Sequence, residues 1–108
     1  MKRLWGAGTL VLCTVPAMAQ LPHAVGKTLH IKIENVSFGG APKGARVGDV
    51  IQWANKDIVD HTATARDGSF DVIIPAGKSA STVLNKAGLI AVYCRYHPNM
   101  TSEIRVGA

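Results

Sequence analysis

The sequence predicts an all-β fold, an antiparallel sandwich of about seven or eight short strands. Segments with alternating or β-branched apolar residues recur along the chain, and turn residues separate them at frequent intervals. Apolar residues at helical spacing are nowhere sustained over a window long enough for a helix. Short strands with frequent turn signals and no long helix are typical of a two-layer β-sandwich.

Three strands are predicted in the first part of the domain. Residues 29–33 alternate apolar and polar side chains, which predicts one buried face and places His30 on the exposed face. Residues 50–53 follow a Gly-Asp turn signal, and residues 61–65 combine threonines with alanines before an Asp-Gly turn. We expect His61 to open the last of these strands.

Three more strands are predicted towards the C-terminus. Residues 81–84 follow a Pro-Ala-Gly-Lys turn, and residues 89–94 form an apolar run after a Lys-Ala-Gly connection. Residues 101–106 form the last predicted strand, with Ile104 and Val106 facing the core. These six segments lie in one small domain, because the chain shows no repeat, linker or low-complexity tract.

Residues 1–19 have the pattern of a secretory signal peptide. Lys2 and Arg3 give a positive start, an apolar stretch follows, and Ala17-Met18-Ala19 is a typical cleavage signal. The apolar stretch is shorter than the roughly 20 residues that a membrane-spanning helix needs. We therefore expect cleavage after Ala19, no membrane anchor, and a soluble periplasmic domain of residues 20–108.

The charge distribution argues against nucleic-acid binding. The chain has 12 basic and 7 acidic residues, and without Lys2 and Arg3 ten basic residues remain, spread singly. Nucleic-acid binding would favour a clustered stripe of lysines and arginines. We interpret the charges as a solvated surface with a mild attraction to acidic partners.

Candidate metal-ligating residues lie near the C-terminus, where Cys94, His97 and Met100 follow one another at steps of three residues. Thiolate, imidazole and thioether are ligands that copper prefers, and two imidazoles, one thiolate and a weak axial Met form the ligand set of blue-copper centres. His61 is the candidate for the second imidazole. Within residues 20–108 Cys94 is the single cysteine, which excludes a disulfide inside the mature chain and favours a metal ligand.

Each of these residues also has a purely structural interpretation. Cys94 and Met100 could fill the core, and His61 alone could be an ordinary surface or core histidine. We expect the other distinctive residues to be structural: Trp53 in the core, Asn55 bonded to nearby backbone, and both His23 and His30 solvated.

The chain resembles the cupredoxins, in particular the amicyanin, pseudoazurin and plastocyanin-like group. The resemblance rests on Cys-x-x-His-x-x-Met at Cys94 and on Trp53-Ala54-Asn55-Lys56-Asp57 leading to His61, with Gly88 six residues before the cysteine. It covers nearly all of residues 27–106. The resemblance implies a cupredoxin-like Greek-key sandwich with one type 1 copper per chain.

In that centre the resemblance implies His61 and His97 as imidazole ligands, Cys94 as the thiolate and Met100 as the long axial ligand. It further implies a monomer that is not an enzyme and that carries single electrons between a donor and an acceptor redox protein. A copper carrier or homeostasis protein with the same four ligands is the alternative. A β-sandwich interaction module with a vestigial site is a third possibility.

Three departures from the family pattern concern the surroundings of the site. Asp60 precedes His61, which places an acid near the expected docking face. Tyr96 replaces a proline of the amicyanin loop, so its backbone N–H can donate to the Cys94 sulfur and raise the reduction potential. Ile90 and Val92 stand where the family usually has aromatic residues, so we expect looser packing beneath the metal.

Overall fold

The computed structural model describes residues 26–108, which form eight strands and no helix. The strands are β1 (Thr28–Ile33), β2 (Ala45–Arg46), β3 (Val50–Asn55), β4 (His61–Ala65), β5 (Asp71–Ile74), β6 (Ser79–Val83), β7 (Gly88–Cys94) and β8 (His97–Gly107). None of these residues forms a helix long and apolar enough to cross a membrane. The predicted signal peptide, residues 1–19, and the predicted solvated His23 lie outside the described part of the chain.

The strands form two sheets, which confirms the predicted all-β class. One sheet has the order β1-β3-β6, and the other has the order β2-β8-β7-β4-β5. Two pairings differ from the predicted antiparallel arrangement, because β1 runs parallel to β3 and β2 runs parallel to β8. The remaining pairings are antiparallel.

The predicted strands are present, with two additions and one correction. β2 and β5 were not predicted, since β2 has only two residues and β5 is a short edge strand after an Asp-Gly turn. We predicted that His97 and Met100 lie on a loop after β7, and this is wrong. Both residues belong to β8, and only Arg95 and Tyr96 form the turn between β7 and β8.

The core lies between the two sheets and is built from their inward-facing side chains. Trp53 is fully buried at its centre, between Phe38 and Phe70, with ring centroids 5.6 and 6.0 Å from its own. Its indole N–H donates to Thr82 Oγ1 over 2.9 Å, so the one polar atom of the ring is satisfied. Trp53 is therefore a core residue, as predicted.

β7 shows how the alternation of faces places the candidate metal ligand. Ile90, Val92 and Cys94 are buried, while Leu89 is 52% exposed on the opposite face. Gly88 begins the strand with φ of +120°, a conformation that L side chains rarely adopt. The same alternation that fills the core thus points Cys94 inwards at the last position of β7.

Candidate metal centre

Three strand ends bring His61, Cys94 and His97 together. His61 opens β4, Cys94 closes β7 and His97 opens β8, where it pairs with Cys94 across the two-residue turn. One ligand atom from each residue lies within 4.8 Å of the others. The structure thus unites three of the four ligands predicted from the sequence around a single point.

The Cys94 sulfur is the centre of this group. Its side chain is fully buried, and Sγ lies 3.6 Å from His97 Nδ1 and 3.9 Å from His61 Nδ1. The Thr62 backbone N–H donates to Sγ over 3.3 Å. Burial raises the pKa of the Cys94 thiol, but hydrogen bonds from the Thr62 backbone, both imidazoles and the Tyr96 backbone together lower this pKa to about 6. The site therefore favours the thiolate, which is the form that binds metals.

His61 is held in one orientation by Asp57. The imidazole is fully buried, and its Nε2 lies 2.8 Å from Asp57 Oδ2. The Asp57 carboxylate also accepts the backbone N–H groups of Asn35 and Val36, over 2.7 and 2.9 Å. Donation from Val36, followed by the hydrogen bond of His61, lowers the pKa of Asp57 below its ordinary value. An ionised acceptor requires a proton on His61 Nε2, and Nδ1 is the ring nitrogen that faces Cys94.

This role of Asp57 was not predicted from the sequence. The residue was part of the segment that carries the family resemblance, and it lies four positions before His61. An acid four positions before a candidate ligand, on the loop that leads to it, could have indicated a hydrogen bond to that ligand. Its contact with His61 depends on how the loop between β3 and β4 folds back, which spacing alone does not show.

The residues that donate to Asp57 have unusual backbone conformations. Asn35 and Val36 have φ angles of 58° and 55°, in the left-handed region. Asparagine tolerates this region, but a β-branched residue rarely adopts it. The two donated hydrogen bonds hold this turn in place, so backbone strain is concentrated next to the candidate metal centre.

Asn55 organises the loop that carries Asp57, as the sequence analysis predicted for a residue bonded to nearby backbone. Its side-chain N–H groups donate to the carbonyls of Val59 and Ile74, over 2.8 and 3.0 Å. Its side-chain oxygen accepts the Asp57 backbone N–H over 2.8 Å. One buried amide thus ties both ends of the loop to β5.

A chain of hydrogen bonds fixes the turn between β7 and β8, which follows Cys94. The Arg95 backbone N–H donates to Thr62 Oγ1 over 2.8 Å, and the hydroxyls of Thr62 and Thr64 lie 3.0 Å apart. Thr64 in turn donates to Asp71, which also accepts from Arg95 Nε. The turn that follows Cys94 is therefore attached to both β4 and β5.

Met100, the fourth predicted ligand, is buried three residues beyond His97 on β8. It lines a surface cavity of about 350 Å³ together with His97, which is half-buried, and with Val36, Tyr96, Pro98 and Asn99. Two imidazoles and a thiolate with a nearby thioether are the donor set of blue-copper centres. His61, Cys94 and His97 are positioned to bind one copper ion.

The surface around His97 carries exposed apolar side chains. Tyr96 and Val36, which line the cavity with His97, are about half exposed. Ile58, on the loop that carries Asp57, is 95% exposed. Asp60, which directly precedes His61, is exposed and accepts the backbone N–H of Ala76 over 2.9 Å. Its carboxylate is thus tied to the turn between β5 and β6.

Comparisons with known proteins show a likeness in fold. No protein-family model matches the chain, and no curated protein matches it. Among solved structures, amicyanin from Paracoccus versutus superposes with a TM-score of 0.62 and 19% identity, over 82% of this chain and 86% of the amicyanin chain.

Two amicyanin variants give similar values. The reduced Cu(I) form at pH 4 of a proline-to-glycine variant has a TM-score of 0.63 and 18% identity, over 82% of this chain and 87% of the variant. The reduced state of a proline-to-phenylalanine variant has a TM-score of 0.63 and 19% identity, over 73% and 81% of the two chains. This chain therefore has the cupredoxin fold of the amicyanins.

Proposed function

We propose that this protein holds one copper ion in a type 1 centre and transfers single electrons between redox partner proteins. The observation that carries the proposal is the convergence of two imidazole Nδ1 atoms on a buried cysteine sulfur whose thiolate form is favoured. Two imidazoles and a thiolate suit both oxidation states of copper. The copper would supply the one-electron chemistry, and the chain supplies the fixed ligands.

In this proposal His61, Cys94 and His97 are the equatorial ligands and Met100 is the axial ligand. Three of these residues stand at strand ends, and Met100 lies within β8, so the sheet limits their movement. The hydrogen bond from His61 to Asp57 restricts the most buried imidazole further. Rigid ligands favour fast electron transfer, because little rearrangement accompanies the change in copper charge.

Electrons would pass through the exposed edge of His97. This imidazole is half-buried, whereas His61 is fully buried. The exposed side chains of Val36, Ile58 and Tyr96 would provide apolar contact area for a partner protein. No catalytic turnover is part of the proposal, and the redox partners are identified only as proteins that give or accept one electron.

We also propose that the protein works as a monomer in the periplasm. The support for export is the predicted signal peptide of residues 1–19. A single cysteine after residue 19 is consistent with an oxidising compartment if that cysteine is a metal ligand.

A periplasmic copper carrier is the second candidate. It is favoured by the position of His97 and Met100 at a surface cavity, through which a partner could reach the metal. A carrier must release copper to its partner, whereas an electron carrier retains the metal in both oxidation states. Competition with a Cu(I) chelator before and after reduction distinguishes the two functions.

The test of the proposed function is a Cu(II) titration of the purified domain, followed by visible absorption and electron paramagnetic resonance. We expect one equivalent of copper to produce an intense visible band with a narrow hyperfine splitting. Both signals should be absent in Cys94→Ser and in His61→Ala. His30→Ala is the matched control, because His30 is exposed on β1, and it should retain both signals. Colourless or non-stoichiometric copper binding by the parent protein would refute the type 1 centre.

A further inference from the structure

Beyond Met100, the outer edge of β8 has backbone groups without a strand partner in the described part of the chain. β8 runs from His97 to Gly107, but β2 pairs with it only at Val106 and Gly107. Within residues 26–108, no backbone hydrogen bond joins residues 101–105 to the segment before β2. An open edge of this kind is a template for another extended chain.

A groove runs along this edge. It consists of adjoining cavities of about 580 and 640 Å³ that share Ala41 and Glu103 in their walls. Thr101, Ser102 and Glu103 follow one another in the lining of the larger cavity. Ala91 and Val92 of the neighbouring strand β7 line the same cavity, so it extends across β8 from the segment of residues 38–41 to β7.

The opposite wall leaves room for a further backbone. Phe38, Gly39, Gly40 and Ala41 line the larger cavity, and a Cβ added at Gly40 would meet nothing within 4 Å. The open edge of five residues is about 17 Å long in extended conformation. A segment of about five extended residues therefore matches the length of the groove.

The charges lining the groove are mainly basic. Lys43, Arg46 and Arg105 line the smaller cavity, and Arg66 lines the larger one. The one acid in both linings is Glu103. Guanidinium groups bind carboxylates through paired hydrogen bonds, so these linings complement an acidic occupant.

Two further features are typical of a protein interface. Arg66 lies over the ring of Tyr93, with Cζ 4.3 Å from the ring centroid, which restrains its guanidinium. Leu89 borders the smaller cavity and is 52% exposed, so it offers an apolar contact between the basic groups. Tyrosine and arginine are enriched among the residues that dominate binding energy at interfaces.

We propose that this groove binds an extended acidic segment of a partner protein, which adds to the edge of β8 as a further strand. Main-chain hydrogen bonds to residues 101–105 would supply part of the affinity. Carboxylates on the segment would pair with Arg66, Arg105 and Lys43 and determine its specificity. The proposal does not depend on copper binding or on electron transfer.

A second copy of this chain is a poor occupant. Symmetric antiparallel pairing of residues 101–105 with themselves places Glu103 opposite Glu103 of the second copy. In-register parallel pairing does the same. Like charges directly opposite each other destabilise a strand pair.

The test uses the ¹⁵N-labelled protein, kept reduced, and a capped heptapeptide of alternating threonine and glutamate as the probe. Chemical shifts are followed up to millimolar peptide at low salt. Two control peptides carry lysine or glutamine in place of glutamate. A third peptide has N-methylated backbone amides, so it keeps the charges but cannot form the ladder.

We expect shift changes confined to residues 101–105 and the groove lining, with amide exchange at the β8 edge slowed at least tenfold. The lysine and N-methylated peptides should not bind. Raising the salt to about 0.5 M should weaken binding by about tenfold, because exposed charges are screened. Binding of the lysine and glutamate peptides with equal affinity, or absence of shifts at residues 101–105, would overturn the proposal.

Two variants locate the binding. Arg105→Glu should weaken the glutamate peptide at least tenfold, whereas Lys78→Glu, the same charge change on the turn before β6, should change its affinity less than twofold. Gly40→Phe should block the groove without a clash in the fold, since the position is open and its φ is not left-handed. Retained peptide binding by a folded Gly40→Phe variant would show that the groove is not the site.

Discussion

Replacing Asn55 by Ala is expected to destabilise the protein strongly, because one buried amide connects three backbone groups. The side chain is 2% exposed, and it donates to the carbonyls of Val59 and Ile74 while accepting the Asp57 N–H. Alanine removes all three hydrogen bonds and leaves the Ile74 carbonyl without this donor in a buried setting. The substitution also loosens the loop that carries Asp57 to His61.

The expected loss of stability follows from these contacts. Each neutral hydrogen bond contributes about 1 kcal/mol net, and a buried group left unsatisfied costs about 1–3 kcal/mol. Val59 is 41% exposed, so water can replace Asn55 at its carbonyl and reduce the cost there. We therefore expect a loss of about 2–4 kcal/mol, which lowers the melting temperature of a domain of this size by roughly 10–25 °C.

Urea unfolding of the metal-free protein, followed by circular dichroism, measures this loss. Asn85→Ala is the matched control, because Asn85 is exposed between β6 and β7, and it should change the unfolding free energy by less than about 0.5 kcal/mol. If Asn55→Ala loses no more than this control, the hydrogen bonds of Asn55 do not stabilise the loop.

Three further predictions concern the core, unfolding at low pH and the Cys94 thiolate. Ile74→Ala should lower the unfolding free energy measured in urea by about 2–5 kcal/mol, since Ile74 is fully buried. Ile73→Ala, at the neighbouring position that is 48% exposed, should lower it by under about 1 kcal/mol. Equal losses of unfolding free energy in the two variants would contradict the assigned faces of β5. Hydrogen bonds from Lys27 hold the pKa of Asp49 below its ordinary value of 3.8. The Asp49 carboxylate therefore stabilises the fold at pH values above 3.8. This stabilisation is lost as the pH falls through the lowered pKa. Lys27→Met should therefore move acid unfolding to higher pH, and an unchanged midpoint would refute the linkage. Tyr96→Pro removes a backbone N–H that donates to the Cys94 thiolate, so it should lower the reduction potential in a redox titration. Tyr96→Ala keeps this N–H and should leave the potential unchanged. An unchanged potential in Tyr96→Pro would show that the Tyr96 N–H does not tune the site.

Local chemistry was visible in the sequence where a residue type and its spacing carry the signal. Alternation over two positions identified the buried faces, as in β1 and β8, because side chains of a strand alternate between faces whatever their partner. Cys94 and His97 were recognisable as neighbours, since three residues span only a tight turn. Strands without such alternation, such as the two-residue β2, had no local signal to find.

Contacts between distant segments were decided by the tertiary structure. The hydrogen bonds from Asn35 and Val36 to Asp57 join segments more than 20 residues apart. The contact of Asp57 with His61, only four residues along the chain, depends on how the loop between β3 and β4 folds back. The placement of Met100 within β8 depends on how far that strand pairs with β7. The strand pattern and the ligand types were thus predictable from the chain alone, because they depend on residues near one another along it. The orientation of the ligands and the open edge of β8 depend on which strands pair, and pairing is set by the packing of the whole domain.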